Sequence, residues 1–244
     1  MRRICLTILL VVWAGATARF ASAQASFAIE SAVAPRAEIP SEMLNALEPS
    51  GTRLLRVVNG VRIPVCELFW RKTVAAHRKR LKLGVTYAQL SPGTLLGVLY
   101  LPGVERDFNG NQLEPGLYTM RYAQPFRPER EINDKDEMEN RPRPNAYRDF
   151  VFLSRLESDK QTRQPLTATQ LLKLSKQASS GEDPAMLRLV PVNPAYKGFP
   201  SIVSDDQGNC TVQFKLQAQA VGHRAEELDL AILLVNPPNF SADD

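Results

Sequence analysis

The chain has 244 residues, 44% hydrophobic and 23% charged, with a formal net charge of +4. That balance is ordinary for a globular protein with a packed core. The basic excess sits at the start: residues 1–23 carry Arg2, Arg3 and Arg19 and no acid, so 30 basic against 26 acidic residues become 27 against 26 without them. A near-neutral remainder gives no support to nucleic-acid binding.

Met1-Arg2-Arg3 is a positive leader, Ile4 to Ala16 an apolar run, and Ala21-Ser22-Ala23 a small-residue cleavage pattern, with Ala23-Gln24-Ala25 as a second register. These are the parts of a secretory signal peptide. The apolar run is shorter than the ~20 residues needed to span a bilayer, and Cys5 lies too early for a lipid anchor. We therefore expect cleavage at 1–23, release as a secreted or periplasmic protein, and no transmembrane segment afterwards. Residues 24–50, rich in Ala, Ser, Pro and Glu, read as a flexible or disordered leader with one short helical turn at 41–47.

From residue 51 the pattern changes to short strands. Arg53–Val58 and Val61–Val65 flank Asn59-Gly60, the dipeptide suited to a tight hairpin turn. Cys66–Val74 continues extended, and Val85–Leu90 reads as a further strand. After the Ser91-Pro92-Gly93 turn, Thr94–Leu101 is apolar on both faces, as in a central strand. Residues 102–115 read as a polar loop, Leu117–Tyr122 as a strand, 125–145 as a charged, proline-dense loop, and Phe150–Leu153 as a strand. One helix is marked, at about 168–180: Thr167 and Gln170 have capping-box spacing, Leu171, Leu174 and Ala178 share a face, and Gly181 stops it. Strands follow at Met186–Val192, Ser201–Ser204, Thr211–Gln219 and Leu228–Val235, and 239–244 is a tail. The expected fold is mainly β: a β-sandwich-like pair of antiparallel sheets with one helix, forming a single domain over 51–238.

Of three cysteines, Cys66 and Cys210 outlast the signal. Both fall in or beside strands, leaving open a disulfide or two buried thiols acting as small hydrophobes. The two histidines, His77 beside Arg78-Lys79-Arg80 and His223 in a turn, read as surface residues without metal-ligand spacing. Asp134-Lys135-Asp136-Glu137-Met138-Glu139 fails as a calcium loop because Met138 and Glu139 stand where a ligand and a glycine belong. No metal and no cofactor is expected. The motifs of α/β-hydrolases, P-loop proteins and zinc proteases are missing. Glu67, Asp107, Glu114 and Asp149 lie in or near the strands as carboxylates that a fold could bring together for glycoside chemistry. Trp70, Tyr118 and Tyr122 form the one aromatic set suited to stacking a sugar, the competing reading being core packing. Asn209-Cys210-Thr211 and Asn239-Phe240-Ser241 match the glycosylation sequon.

Four stretches resemble an uncharacterised family of secreted proteins from acidobacteria and similar soil bacteria: Leu68-Phe69-Trp70-Arg71-Lys72; Gly84-Val85-Thr86-Tyr87 with Pro92-Gly93-Thr94-Leu95-Leu96-Gly97-Val98; Leu113-Glu114-Pro115-Gly116-Leu117-Tyr118-Thr119-Met120-Arg121-Tyr122; and Tyr147-Arg148-Asp149-Phe150. The resemblance spans roughly residues 65–195. It implies export and a β-rich fold and carries no known activity, so no catalytic residue comes with it. That family's Asp-x-His-Met-Gly loop is replaced here by Asp136-Glu137-Met138-Glu139. Together these readings favour a non-catalytic, exported β domain that binds a ligand, a carbohydrate or an envelope protein. The alternatives are a secreted hydrolase with paired carboxylates and a structural envelope component.

Overall fold

The computed structural model describes residues 26–35, 37–77, 86–124, 149–179, 183–196, 198–206 and 208–235. The signal segment, the charged loop at 125–145 and the 239–244 tail lie outside them.

The chain is mainly β. Strands β1 (Ser26–Val33), β2 (Ser50–Val58), β3 (Val61–Trp70), β4 (Thr73–Ala76), β5 (Leu95–Leu101), β8 (Gly116–Ala123), β9 (Phe150–Arg155), β10 (Met186–Val190), β11 (Ser201–Ser204), β12 (Cys210–Ala220) and β13 (Glu226–Val235) make one 11-stranded sheet, while β6 (Glu105–Arg106) and β7 (Gln112–Leu113) form a separate two-stranded flap. Two helices accompany them among the described residues, α1 (Ser41–Ala46) and α2 (Ala168–Ala178). None of the described helices is long and apolar enough to cross a membrane.

The order along the sheet is β1-β2-β3-β5-β8-β9-β10-β13-β12-β11, every neighbour antiparallel. The described strands run on as one large sheet, so the expected sandwich-like pair of sheets is not confirmed. Strand β4 follows β3 after only Arg71-Lys72, yet pairs in parallel with β12 near the opposite end of that order. The sheet therefore curls on itself, and its inner face becomes the main core.

Period-2 alternation sorts the side chains. In β8, Tyr118, Met120 and Tyr122 join the inner cluster with Leu68 and Trp70 of β3 and Phe214 and Leu216 of β12. Their neighbours face outward and are covered in turn. Leu117 packs with Phe69 and Val98 beneath Ala32, Ile39, Met43 and Leu47, while Ala123 and Phe152 lie under Leu166 and Leu171 of α2 and the chain leading to it.

This corrects the leader expected at 24–50. Residues Ser26–Val33 form an edge strand registered against β2, and α1 seats Met43 on the outer face of the sheet. The segment orders because β2 offers it an open edge and the sheet offers it an apolar back, neither of which is a local property. Of the strand expected at Val85–Leu90, Val85 lies outside the described residues and residues 86–90 form no strand. From Thr86 the chain turns inward, placing Tyr87 in the core and leaving only an isolated bridge between Leu90 and Ala76. The remaining strands fall close to expectation, and Asn59 (φ 51) and Gly60 (φ 79) make the hairpin turn. The capping box of α2 is complete, with Thr167 accepting from the Gln170 N–H and Gln170 reaching back to the Thr167 N–H.

The polar loop at 102–115 contains the flap. Asp107 organises it, accepting from the backbone N–H groups of Asn109 and Asn111 and from that of Met186 at the start of β10. Glu105 is half-buried there, and burial raises its carboxyl above the ordinary 4.5. A raised carboxyl means the native state holds its proton more tightly than the unfolded chain, so stability falls as pH rises through the window just above 4.5. Urea midpoints of Glu105→Gln should show a shallower fall than the parent between about pH 4 and pH 7. Equal slopes would show that Glu105 does not set it.

Candidate functional site

Three polar assemblies interrupt the apolar packing. The first lies on the outer face. Arg121, from β8, is wholly buried and meets Asp159 in a two-pronged ion pair, Nε to Oδ2 at 2.6 Å and Nη2 to Oδ1 at 2.8 Å. Thr119 donates to the same carboxylate at 2.6 Å, and Arg121 also donates to the carbonyls of Gly93 and Gln161. Gly93 sits at φ +84, and a Cβ there would lie 2.0 Å from the Leu166 carbonyl oxygen. Every group in this cluster is engaged, so its work is to clamp the chain between β9 and α2 onto the sheet.

The second assembly is at the inner end of β8 and β9. Asp149 is fully buried and accepts from the Thr86 N–H at 2.7 Å, the Tyr87 N–H at 3.4 Å and the Tyr122 hydroxyl at 2.6 Å. Tyr87 donates its own hydroxyl to the Val190 carbonyl and accepts from the Ala231 N–H, bridging β10 and β13. Burial, reinforced by the Asp149 carboxylate, holds both phenols far above their ordinary value, so neither is an acid or base near neutrality.

The third is open to solvent. A cleft of about 430 Å³ lies where β8 begins and β9 ends, walled by Pro40, Leu117 and Leu156 and carrying Arg155, Lys160, Glu38 and Glu157. That volume is in the range of small-molecule sites. Register positions Arg155: it stands opposite Tyr118 on the neighbouring strand, so the two share a face. Its guanidinium lies 4.7 Å over the Tyr118 ring and donates Nη1 to the Pro115 carbonyl at 3.0 Å. Gly116 makes room, because a Cβ there would come within 2.8 Å of Arg155 Nη1. The remaining N–H groups of Arg155 have no partner among the described residues. A second groove of about 430 Å³ runs beside the β4–β12 seam, but Arg71, its one charged group, already donates to the Thr162 carbonyl at 2.6 Å.

The residues singled out in the sequence are distributed as follows. Trp70, Tyr118 and Tyr122 do share one face, but it is the interior: they are 6%, 0% and 0% exposed, and Trp70 stacks on Phe214 with ring centroids 3.4 Å apart. An exposed aromatic platform from these three is therefore overturned; Tyr118 reaches the cleft only as the support of Arg155. Cys66 and Cys210 are buried free thiols. Glu67 pairs with Arg53, Asp107 holds the flap, Glu114 accepts from Gln112, and Asp149 is internal, so the fold brings no two of them together as a reacting pair. Both histidines are exposed; His77 contacts the Ser91 hydroxyl, with no carboxylate to orient it among the described residues. Among the described residues no group of His, Cys, Asp or Glu is placed to hold a metal ion. Arg155 and Lys160 escaped the sequence reading, since nothing local distinguishes them from other surface charges.

No protein-family model, curated protein or solved structure matches the chain.

Proposed function

We propose that this chain is an exported, non-catalytic binding domain that holds a carboxylate-bearing ligand in the cleft around Arg155. The observation that carries the reading is the preset guanidinium: it lies over the Tyr118 ring, its Nη1 is tied to the Pro115 carbonyl, and the residue lines an open cleft. A planar fork held in place loses little freedom on binding, and it matches a carboxylate with two parallel hydrogen bonds. Lys160 adds a second positive charge. Glu38 and Glu157 supply acceptors for an amine or hydroxyl on the same ligand, which favours amino-acid-like compounds and peptide termini over simple anions. Export rests on the signal pattern of residues 1–23 and on the resemblance to secreted proteins.

Glu38 and Glu157 also give the hydrolase reading its one structural support, because both line the same cleft. Both are exposed. A general acid for glycoside cleavage is kept protonated by apolar or like-charged surroundings, and these two stand beside Arg155 and Lys160 instead.

The test is a thermal-shift and calorimetric series with free amino acids, short peptides, dicarboxylates and neutral oligosaccharides. A saturable rise in melting temperature with the carboxylates is expected. Arg155→Ala should weaken that binding roughly ten- to a hundredfold, the worth of a charge-assisted hydrogen-bond pair, and Arg155→Lys should restore only part of it. A response to neutral oligosaccharides alone would replace this reading with a sugar site. Turnover of an oligosaccharide that Glu157→Gln abolishes would replace it with the hydrolase.

A further inference from the structure

Strand β4 pairs in parallel with β12, and β3, which ends two residues before it, meets β12 across the interior. Val74 pairs with Ala218 in parallel. Four residues back on each strand, Trp70 stacks on Phe214, ring planes 11° apart. Four residues further back stand Cys66 and Cys210, each buried, 2% and 0% exposed, and each a free thiol. Steps of four keep a side chain on the same face of a strand, so Cys66 shares a face with Trp70 on β3 and Cys210 with Phe214 on β12, and Cys210 is near enough to act electrostatically on the Cys66 thiol. Leu68 and Val212, halfway along the last step, belong to the same inner cluster as both cysteines.

From this arrangement we infer that Cys66 and Cys210 are a built-in oxidation site, a pair of thiols that face each other across the interior and close to a disulfide as the chain folds. The bond forms by exchange with a low-molecular-weight disulfide. One cysteine thiolate attacks it and expels one thiol, giving a mixed disulfide; the second cysteine attacks its partner's sulfur and expels the other thiol. Two protein S–H bonds are lost, one S–S bond is made, and the disulfide reagent leaves as two thiols.

Timing follows from burial. In the folded chain the thiols are shielded, and burial pushes Cys210 up to about 12 and Cys66 higher still, so neither supplies thiolate at neutral pH. Oxidation therefore belongs to the period before the sheet closes. Once made, the bond is hidden from reductants. It ties β3 to β12 across more than half of the chain, a long loop of the kind that constrains an unfolded state most.

The full-length chain carrying Cys5→Ser is unfolded in urea and refolded with reduced and oxidised glutathione. After denaturation it should show no free thiol, a mass two hydrogens below the reduced form, and a peptide joining Cys66 to Cys210. Its melting temperature should exceed that of the same protein refolded with excess reductant by about 10 °C. Oxidised glutathione added to folded, reduced protein should leave both thiols free. Two free thiols after oxidative refolding, glutathione adducts at either cysteine, or disulfide-linked dimers would each overturn the inference. Both arms use one protein, so the result does not depend on a cysteine variant folding; Cys66→Ser and Cys210→Ser should each abolish the rise.

Discussion

Replacing Arg121 with Met is expected to cost about 3–5 kcal/mol of folding stability, among the largest effects of any single change in this chain. The side chains of Arg121 and Asp159 are 0% exposed, and each prong of their pair is short. Removing the guanidinium leaves a carboxylate out of water with Thr119 as its remaining side-chain donor, and strips the Gly93 and Gln161 carbonyls of a donor. Removing both charges is a different experiment. Arg121→Met with Asp159→Leu deletes the desolvation penalty together with the attraction, so the double variant should recover much of the loss. Urea midpoints of the two single variants and the double variant provide the cycle. A loss below about 1 kcal/mol for Arg121→Met would mean that water reaches the pair. The pair also bears on binding, since Glu157 and Lys160 flank Asp159 in sequence and both line the cleft. Loosening the clamp should weaken ligand binding even in molecules that remain folded.

Trp70→Ala should cost a similar amount, about 3–5 kcal/mol, the usual penalty for deleting a large buried aromatic ring. The ring lies against Phe214 where the chain passes from β3 towards β4, and its loss opens the core beside the parallel seam. Trp70 also contains a flaw: its indole N–H is buried and has no partner among the described residues. Trp70→Phe gives up some volume but removes that unsatisfied donor, so its cost should be much smaller than that of Trp70→Ala. Equal costs for the two would show that the N–H, and not the ring, governs this position. A ligand-stacking role for Trp70 would instead lower affinity while leaving stability unchanged, the opposite pattern.

Local signals were legible where a few adjacent residues decide the geometry. Asn59-Gly60 set its hairpin and Thr167 with Gln170 set the start of α2, since positive φ angles and capping are short-range matters. The β1 strand was not legible. Its apolar residues, Phe27 and Ile29 among them, are set among Ala, Ser and Glu without a turn signal to frame them, and what orders them is the edge of β2 and the outer face under α1. Tyr87 misled for a related reason: its neighbourhood alternates like a strand, yet its hydroxyl is held by Val190 and Ala231, far away in sequence. The aromatic set of Trp70, Tyr118 and Tyr122 was correctly grouped on one face, but sequence cannot say whether a face looks inward or outward. Arg155 became visible only through its register with Tyr118, which no motif encodes.

The parallel pairing of β4 with β12 sets a schedule for the chain. Residues 73–76 cannot find their partners until residues 217–220 exist. Until then the wall that β4 and β12 form together is missing from the inner face. A topology whose decisive contact is so distant along the chain folds slowly, on the millisecond-to-second scale typical of non-local β proteins. The seam that closes the sheet is thus the last part of its inner wall to be put in place, after the hairpins that precede it.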